Sequence, residues 1–352
     1  MECRKRHEKK ATNGDRGDKL SNMNQPSVEP CFWMGGLLAT DLVEITNDPS
    51  KIDSGFWAIT STFDGEITAA KFAQLVRSEW SQGYQPLSSD LWNSSHSKES
   101  YCQLVENFRE EIASGNIYQV NACRLLSLNT EESIVGLMAG ILRNNPAKYA
   151  GYLRLPDLEI VSASPESFLS RRGQVISSAP IKGTRPKGVT GRFPEKDESE
   201  NIMIVDLMRN DLGRVAIKDT IVVSKLLEIM ELPGLTHLVS EISGVLPPEI
   251  TWDQILRATL PPGSVSGAPK SSAIKLIKKY EQIDRGPYCG AFGWINGSDA
   301  ELAVAIRTFW SDGKTVKFGT GAGITWASVP EQEWDETELK ASRLIAIASG
   351  KL

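Results

Sequence analysis

The chain has 352 residues, 40% of them hydrophobic and 24% charged, and a formal net charge of -5. That is ordinary globular composition with ample apolar surface for a core. It lacks the basic excess that binding phosphate backbones requires, so no nucleic-acid partner is expected. The five cysteines, at 3, 31, 102, 123 and 289, are scattered, odd in number and form no CxxC pair. This points to reduced thiols in a cytoplasm and away from a disulfide framework or zinc site. No apolar run approaches the roughly 20 residues that span a bilayer, and the basic N-terminus lacks the apolar stretch of a signal peptide.

Residues 1–27 are rich in Lys, Arg, Asn, Asp, Ser and Gly, too polar to offset their ordering entropy, and are expected to be disordered. Structure is expected to begin near Cys31-Phe32-Trp33, and residues 28–352 read as one catalytic domain without a later linker or repeat. Tyr101, Leu104, Val105, Phe108 and Ile112 fall at helical spacing within 100–113. Residues 117–128, 149–155, 159–163 and 166–171 read as strands separated by turn residues. Helical spacing resumes at 197–209, with Gly213 as a stop signal, and again at 270–281 after Pro269. Residues 301–309 and 314–318 read as a hairpin across Ser311-Asp312-Gly313, and a last helix covers 331–348. Strands come in consecutive blocks, which favours an α+β fold with antiparallel sheets.

Two carboxylate pairs stand three residues apart on these helices: Asp197 with Glu200, and Glu333 with Glu336. Such a pair shares one helix face, and two faces brought together suit Mg2+, which takes oxygen ligands. Acidic residues in a first turn also complement the helix dipole, so spacing alone leaves both roles open. Lys182 lies in Ala179-Pro180-Ile181-Lys182-Gly183-Thr184-Arg185. Burial and a nearby Arg185 would lower its pKa and expose a nucleophilic amine; the alternative is a surface lysine in a turn. Glu166, after Pro165, is either a desolvated general acid or a solvated turn residue. The glycines of Gly319-Thr320-Gly321-Ala322-Gly323 follow a predicted strand, and Ser266-Gly267 precede a helix N-terminus; both could bring backbone N–H groups to an anion or be tight turns. Arg307 could clamp a carboxylate or be a paired strand arginine.

In order, the segments IYQVN, SASPESF, APIKGTRPKG, ESENIMIVDLMRNDLGRV, THLVS, LPPGSVSGAPK, YCGAFGW, AIRT, GTGAGI and PEQEWDETELKA resemble the chorismate-utilising enzymes across about 110–345. The resemblance implies two large antiparallel sheets packed together with helices outside and an active site in the cleft between them. It implies Mg2+ on Glu200 and Glu336, with Asp197 and Glu333 behind them or reaching the metal through water. Gln119, Thr184, His237, Ser266, Gly267, Arg307, Gly321 and Lys340 would hold the substrate, and Glu166 would protonate the departing 4-hydroxyl.

Gln119 stands where the water-adding relatives have a lysine base, and glutamine cannot deprotonate water, so isochorismate and salicylate synthesis are not expected. Lys182 stands where the anthranilate, isochorismate and salicylate synthases typically have alanine. A lysine there resembles aminodeoxychorismate synthase component I and implies a covalent Lys182 intermediate on the way to 4-amino-4-deoxychorismate; anthranilate synthase component I is the alternative. The chain shows no glutamine amidotransferase segment, so the implied partners are a separate amidotransferase subunit and a downstream lyase. A shorter N-terminal part without a Leu-Leu-Glu-Ser element argues against a tryptophan pocket of the family type.

Overall fold

The computed structural model describes residues 29–189, 191–232 and 235–351; the expected disordered segment 1–27 lies outside them. The first strands, β1 (Cys31–Met34) and β2 (Leu37–Thr46), form a tight hairpin across Gly35-Gly36. Both glycines are left-handed, φ 58° and 81°, a conformation glycine adopts without steric cost and the one such hairpin turns demand. Next come β3 (Phe56–Ser61), β4 (Ile67–Arg77), β5 (Asn93–Ser94), α1 (Lys98–Ala113), β6 (Gln119–Asn129), α2 (Leu137–Asn144), β7 (Tyr149–Leu155), β8 (Leu158–Ser164) and β9 (Ser167–Arg172). The middle holds β10 (Val175–Ala179), β11 (Ile181–Pro186), α3 (Glu195–Gly213), β12 (Val222–Leu232), β13 (Leu235–Val245) and α4 (Trp252–Thr259). The C-terminal third holds β14 (Gly267–Ala268), α5 (Lys270–Tyr280), β15 (Ala291–Asn296), β16 (Asp299–Val304), β17 (Thr308–Ser311), β18 (Thr315–Ile324) and α6 (Pro330–Ala348).

The described strands link into one 18-stranded antiparallel sheet with two arms. Both start at β4, which pairs with β2 on one edge and β3 on the other. From β2 one arm runs through β1, β7, β8, β17, β18 and β6. From β3 the other runs through β15, β16, β9, β10 and β13, with β11 and β12 also on β13. The two expected sheets are therefore joined through a shared strand.

Strand side chains alternate between faces, and the first arm buries both. Phe32, Leu153 and Ile160 enter the core shared with the second arm, while their neighbours Trp33, Tyr152 and Val161 enter another apolar layer with Phe318, Leu344 and Ile347. The last two belong to α6, which therefore lies against this arm. Each large apolar side chain buried this way contributes roughly 1.5–3 kcal/mol.

The predicted helices are present as α1, α3, α5 and α6, and the four predicted strands as β6 to β9. The predicted strand 301–309 is broken: β16 ends at Val304 and β17 starts at Thr308, each in a different arm. Arg307 at the break has φ 53°, so the backbone leaves the extended region there. The chain makes a matching crossing at Pro165-Glu166, between β8 in the first arm and β9 in the second. The crossings are tied together by Val304 N–H donating to Glu166 O (3.1 Å), Ala163 N–H to Arg307 O (3.0 Å) and Ser164 Oγ to Val304 O (2.6 Å). The glycines at 319–323, read as either an anion-binding loop or a tight turn, lie in strand: β18 continues through them, Gly321 opposite Cys123 and Gly323 opposite Asn121.

Candidate active site

The paired crossings set Glu166 and Arg307 where the arms meet. Glu166 is buried, and burial is the largest influence on its carboxyl, raising its pKa; the cations of Lys182 and Lys340 and the Ser264 hydroxyl pull the other way. One oxygen, Oε1, has no hydrogen-bond partner. Burial lowers the pKa of Arg307, and the facing Glu166 charge opposes that shift. His237, on β13 opposite Thr184, is held below the usual imidazole range by burial first and by Arg307 second.

Lys182 points inward from β11. Its Nζ lies 2.8 Å from Glu200 Oε1 and 3.2 Å from the Ser264 carbonyl. Burial favours the neutral amine, but Glu200, Glu166 and Glu336 together outweigh it, and the pKa is raised. This corrects the expectation of a depressed pKa. Arg185 takes no part: its guanidinium lies 4.2 Å over the Phe193 ring and donates to Gly191 O. The reason is local. Gly183 has φ 73° and the β11–β13 register shifts between Lys182 and Thr184, so the strand is bulged there.

Glu200, on α3, also accepts 2.6 Å from Gln119 Nε2 at the start of β6. These contacts surround a cavity of only about 10 Å3, lined by Gln119, Lys182, Ser264, Ser266, Gly267 and Gly323. Such a space holds about one water. A Cβ at Gly323 would meet Gln119 Nε2 at 2.8 Å and Glu200 Oε1 at 3.3 Å, so both side chains would have to move. Gly267 is tighter, with a Cβ 2.4 Å from the Gln119 backbone carbonyl. The buried Ser266 hydroxyl donates to Gly263 O (3.2 Å), and its carbonyl accepts from Asn121 N–H (3.0 Å).

From α6, Glu336 pairs with Lys340 at 2.6 Å, and Lys340 Nζ reaches the Gly321 carbonyl at 3.1 Å. Asp197 is pushed up by burial and then by Glu200 and Glu336; Glu333 by burial and by Glu336. Glu333 Oε2 is buried without a hydrogen-bond partner. Among the described residues no three carboxylate, imidazole or thiol groups converge as a metal cage. The two helices instead present mutually repelling carboxylates, with Glu200 and Glu336 each capped by a lysine. That donor set fits a hard cation that takes one or two carboxylates and keeps most of its waters.

The structure thus brings Gln119, Glu166, Lys182, Asp197, Glu200, Ser266, Gly267, Arg307, Gly321, Glu333, Glu336 and Lys340 into one neighbourhood, with His237 against Arg307. Thr184 is placed by its backbone pairing alone. The sequence reading gave no role to Ser264, whose hydroxyl serves Glu166 and whose carbonyl holds Lys182, or to Gly183, and it read Gly323 as part of an anion loop or turn, not as the glycine against Gln119 and Glu200. It also passed over the pair of Lys270 with the buried Asp211, in which Lys270 further grips the Thr259 and Pro261 carbonyls (both 3.0 Å), fixing the loop that carries Ser264 to α3.

A family model described as chorismate binding enzyme matches residues 65–346. The chain belongs to the chorismate binding enzyme family. Anthranilate synthase component 1 of Saccharolobus solfataricus is 35% identical over 265 residues, 72% of this chain and 63% of that protein. Aminodeoxychorismate synthase component 1 of Bacillus subtilis is 30% identical over 314 residues, 82% of this chain and 66% of that protein. The chain spans less than two thirds of the length of these relatives. The crystal structure of anthranilate synthase component I from Streptococcus pneumoniae superposes with a TM-score of 0.76 at 21% identity, over 97% of this chain and 100% of that one. At that identity the likeness concerns the chorismate-binding fold. No helix among the described residues is long and apolar enough to cross a membrane.

Proposed function

We propose that the chain is the chorismate-aminating component of an aminodeoxychorismate synthase. The observation that carries this reading is the Lys182 amine, directed inward and 2.8 Å from Glu200, with the Glu166 carboxyl acting on it from the crossing between the arms. A free amine at this place can bond to C2 of chorismate while the 4-hydroxyl leaves as water with the Glu166 proton. Ammonia then bonds at C4 and the C2–lysine bond breaks, giving 4-amino-4-deoxychorismate. Lys182 must first give up the proton that its carboxylate neighbours favour. Glu166 is suited to hold its proton by burial, and the Arg307 and Lys340 cations are suited to the substrate carboxylates. Glu200 and Glu336 would hold Mg2+, with Asp197 and Glu333 behind them; the ion would neutralise substrate carboxylate charge.

The designation component 1 in the relatives' names supports a second component, to which our reading gives the supply of ammonia as an amidotransferase. The proposed product still carries the enolpyruvyl ether, so a lyase reaction must follow. Chromatography after incubation with chorismate, MgCl2 and ammonium tests the reading. A 4-amino-4-deoxychorismate product is expected, with a mass adduct on the wild type that Lys182→Ala lacks. The 35% identity to an anthranilate synthase favours a second reading, amination at C2; anthranilate as the main product would establish it and overturn ours.

A further inference from the structure

We propose that Lys182 is the resident cation of the divalent-metal position: its ammonium and the metal ion occupy Glu200 in turn, and metal binding releases the Lys182 side chain toward the substrate. This rests on the assignment of Glu200 and Glu336 as metal-holding carboxylates. Glu200 Oε1 already receives Lys182 Nζ at 2.8 Å and Gln119 Nε2 at 2.6 Å. The cavity beside them, about 10 Å3, cannot admit a hydrated ion while the ammonium stays. Two cations on one carboxylate oxygen also repel each other strongly where water is scarce.

The lysine on the other carboxylate is placed differently. Lys340 and Glu336 are one helical turn apart on α6, and their side chains are 43% and 42% exposed, so that pair can open into solvent. The Lys182 and Glu200 side chains are 18% and 16% exposed and lie on different elements, so the metal gains access by exchange with Lys182. The displaced ammonium still has the Ser264 carbonyl and faces Glu166, the group assigned to the leaving hydroxyl. Exchange therefore imposes an order: cation first, nucleophile second.

Calorimetric titration of the full chain with MgCl2, without substrate, tests this. Lys182→Met is expected to bind Mg2+ about tenfold or more tightly than wild type, because a charge-assisted partner no longer competes. Lys196→Met removes a cation 3.9 Å from Glu333 that is half exposed, and is expected to change the affinity by less than about threefold. Lys182→Gln provides a second variant should the methionine form fold poorly. In wild type, peptide mass spectrometry of acetic anhydride labelling should show Lys182 modified faster with MgCl2 and Lys270 unchanged. Lys182 variants that bind no more tightly than Lys196→Met, or an unchanged wild-type Lys182 labelling rate, would overturn the exchange while leaving the metal assignment standing. Absence of Mg2+ binding in every form would overturn both.

Discussion

At Glu166 a carboxyl is sealed away from water, with one oxygen lacking any hydrogen-bond partner. Burial lifts its pKa, so it keeps its proton to higher pH than an ordinary carboxyl, and the protonated form is the one an acid catalyst needs. Chorismate turnover should therefore fall as pH rises through that lifted pKa. Glu166→Gln should cost about 10²- to 10⁴-fold in kcat and abolish this limb of the pH profile, as measured by chorismate consumption. Gly323→Ala asks a different question of the same site. The added methyl collides with Gln119 and Glu200, not with the core. Activity should drop by about tenfold or more while the urea midpoint moves little, a split that separates a site glycine from a folding glycine. At Lys182 burial and neighbours compete, and the three carboxylates win. A one-dimensional reading assigned the opposite sign because those acids lie 16, 18 and 154 positions away in the sequence, whereas the near neighbour, Arg185, turns aside onto Phe193.

At the scale of elements, the site depends on how α3, α6 and the 260–269 loop are fastened to the sheet. Lys270 fixes the loop to Asp211 of α3, whose carboxylate is buried, while the lysine side chain is 11% exposed. Lys270→Met would leave a buried aspartate without its cation. Stability should fall by about 3–5 kcal/mol, measured by urea unfolding at neutral pH. Arg124, on β6, holds α6 through Thr337 (2.8 Å), Glu338 and the face of Trp334, 4.2 Å from its ring centroid. Glu338 is 56% exposed, so its charge adds little. Arg124→Leu should cost about 2 kcal/mol from the lost hydrogen bond and ring contact, and, under the proposed assignment of Glu336 to Mg2+, should weaken that site by loosening the helix that carries it. These helices were readable in advance, because apolar residues at helical spacing mark a face whatever it packs on. The continuation of β18 through its glycines was not: glycine signals a turn and a close strand crossing alike, and the partner, β6, lies far back in the chain.

For the whole molecule, one strand joins two arms around a common core, and each crossing between arms delivers a site residue. Unfolding one arm would strip the core of the other, so urea unfolding is expected to be a single transition, with tryptophan fluorescence and far-ultraviolet dichroism superimposable; separate midpoints would show that the arms fold independently. The sequence by itself determined the α+β character, the four principal helices, strands β6 to β9 and the family, because periodicity and ordered motifs are local and additive. It also picked out most of the residues that gather at the site. Only the tertiary structure decided that the sheets share β4, that the chain crosses between arms at Glu166 and Arg307, and that Lys182 is an ammonium paired with Glu200 and favoured by two further glutamates. Charge state and cavity shape are set by what lies within a few ångströms, and those neighbours come from strands and helices that pairing and burial bring together across the length of the chain.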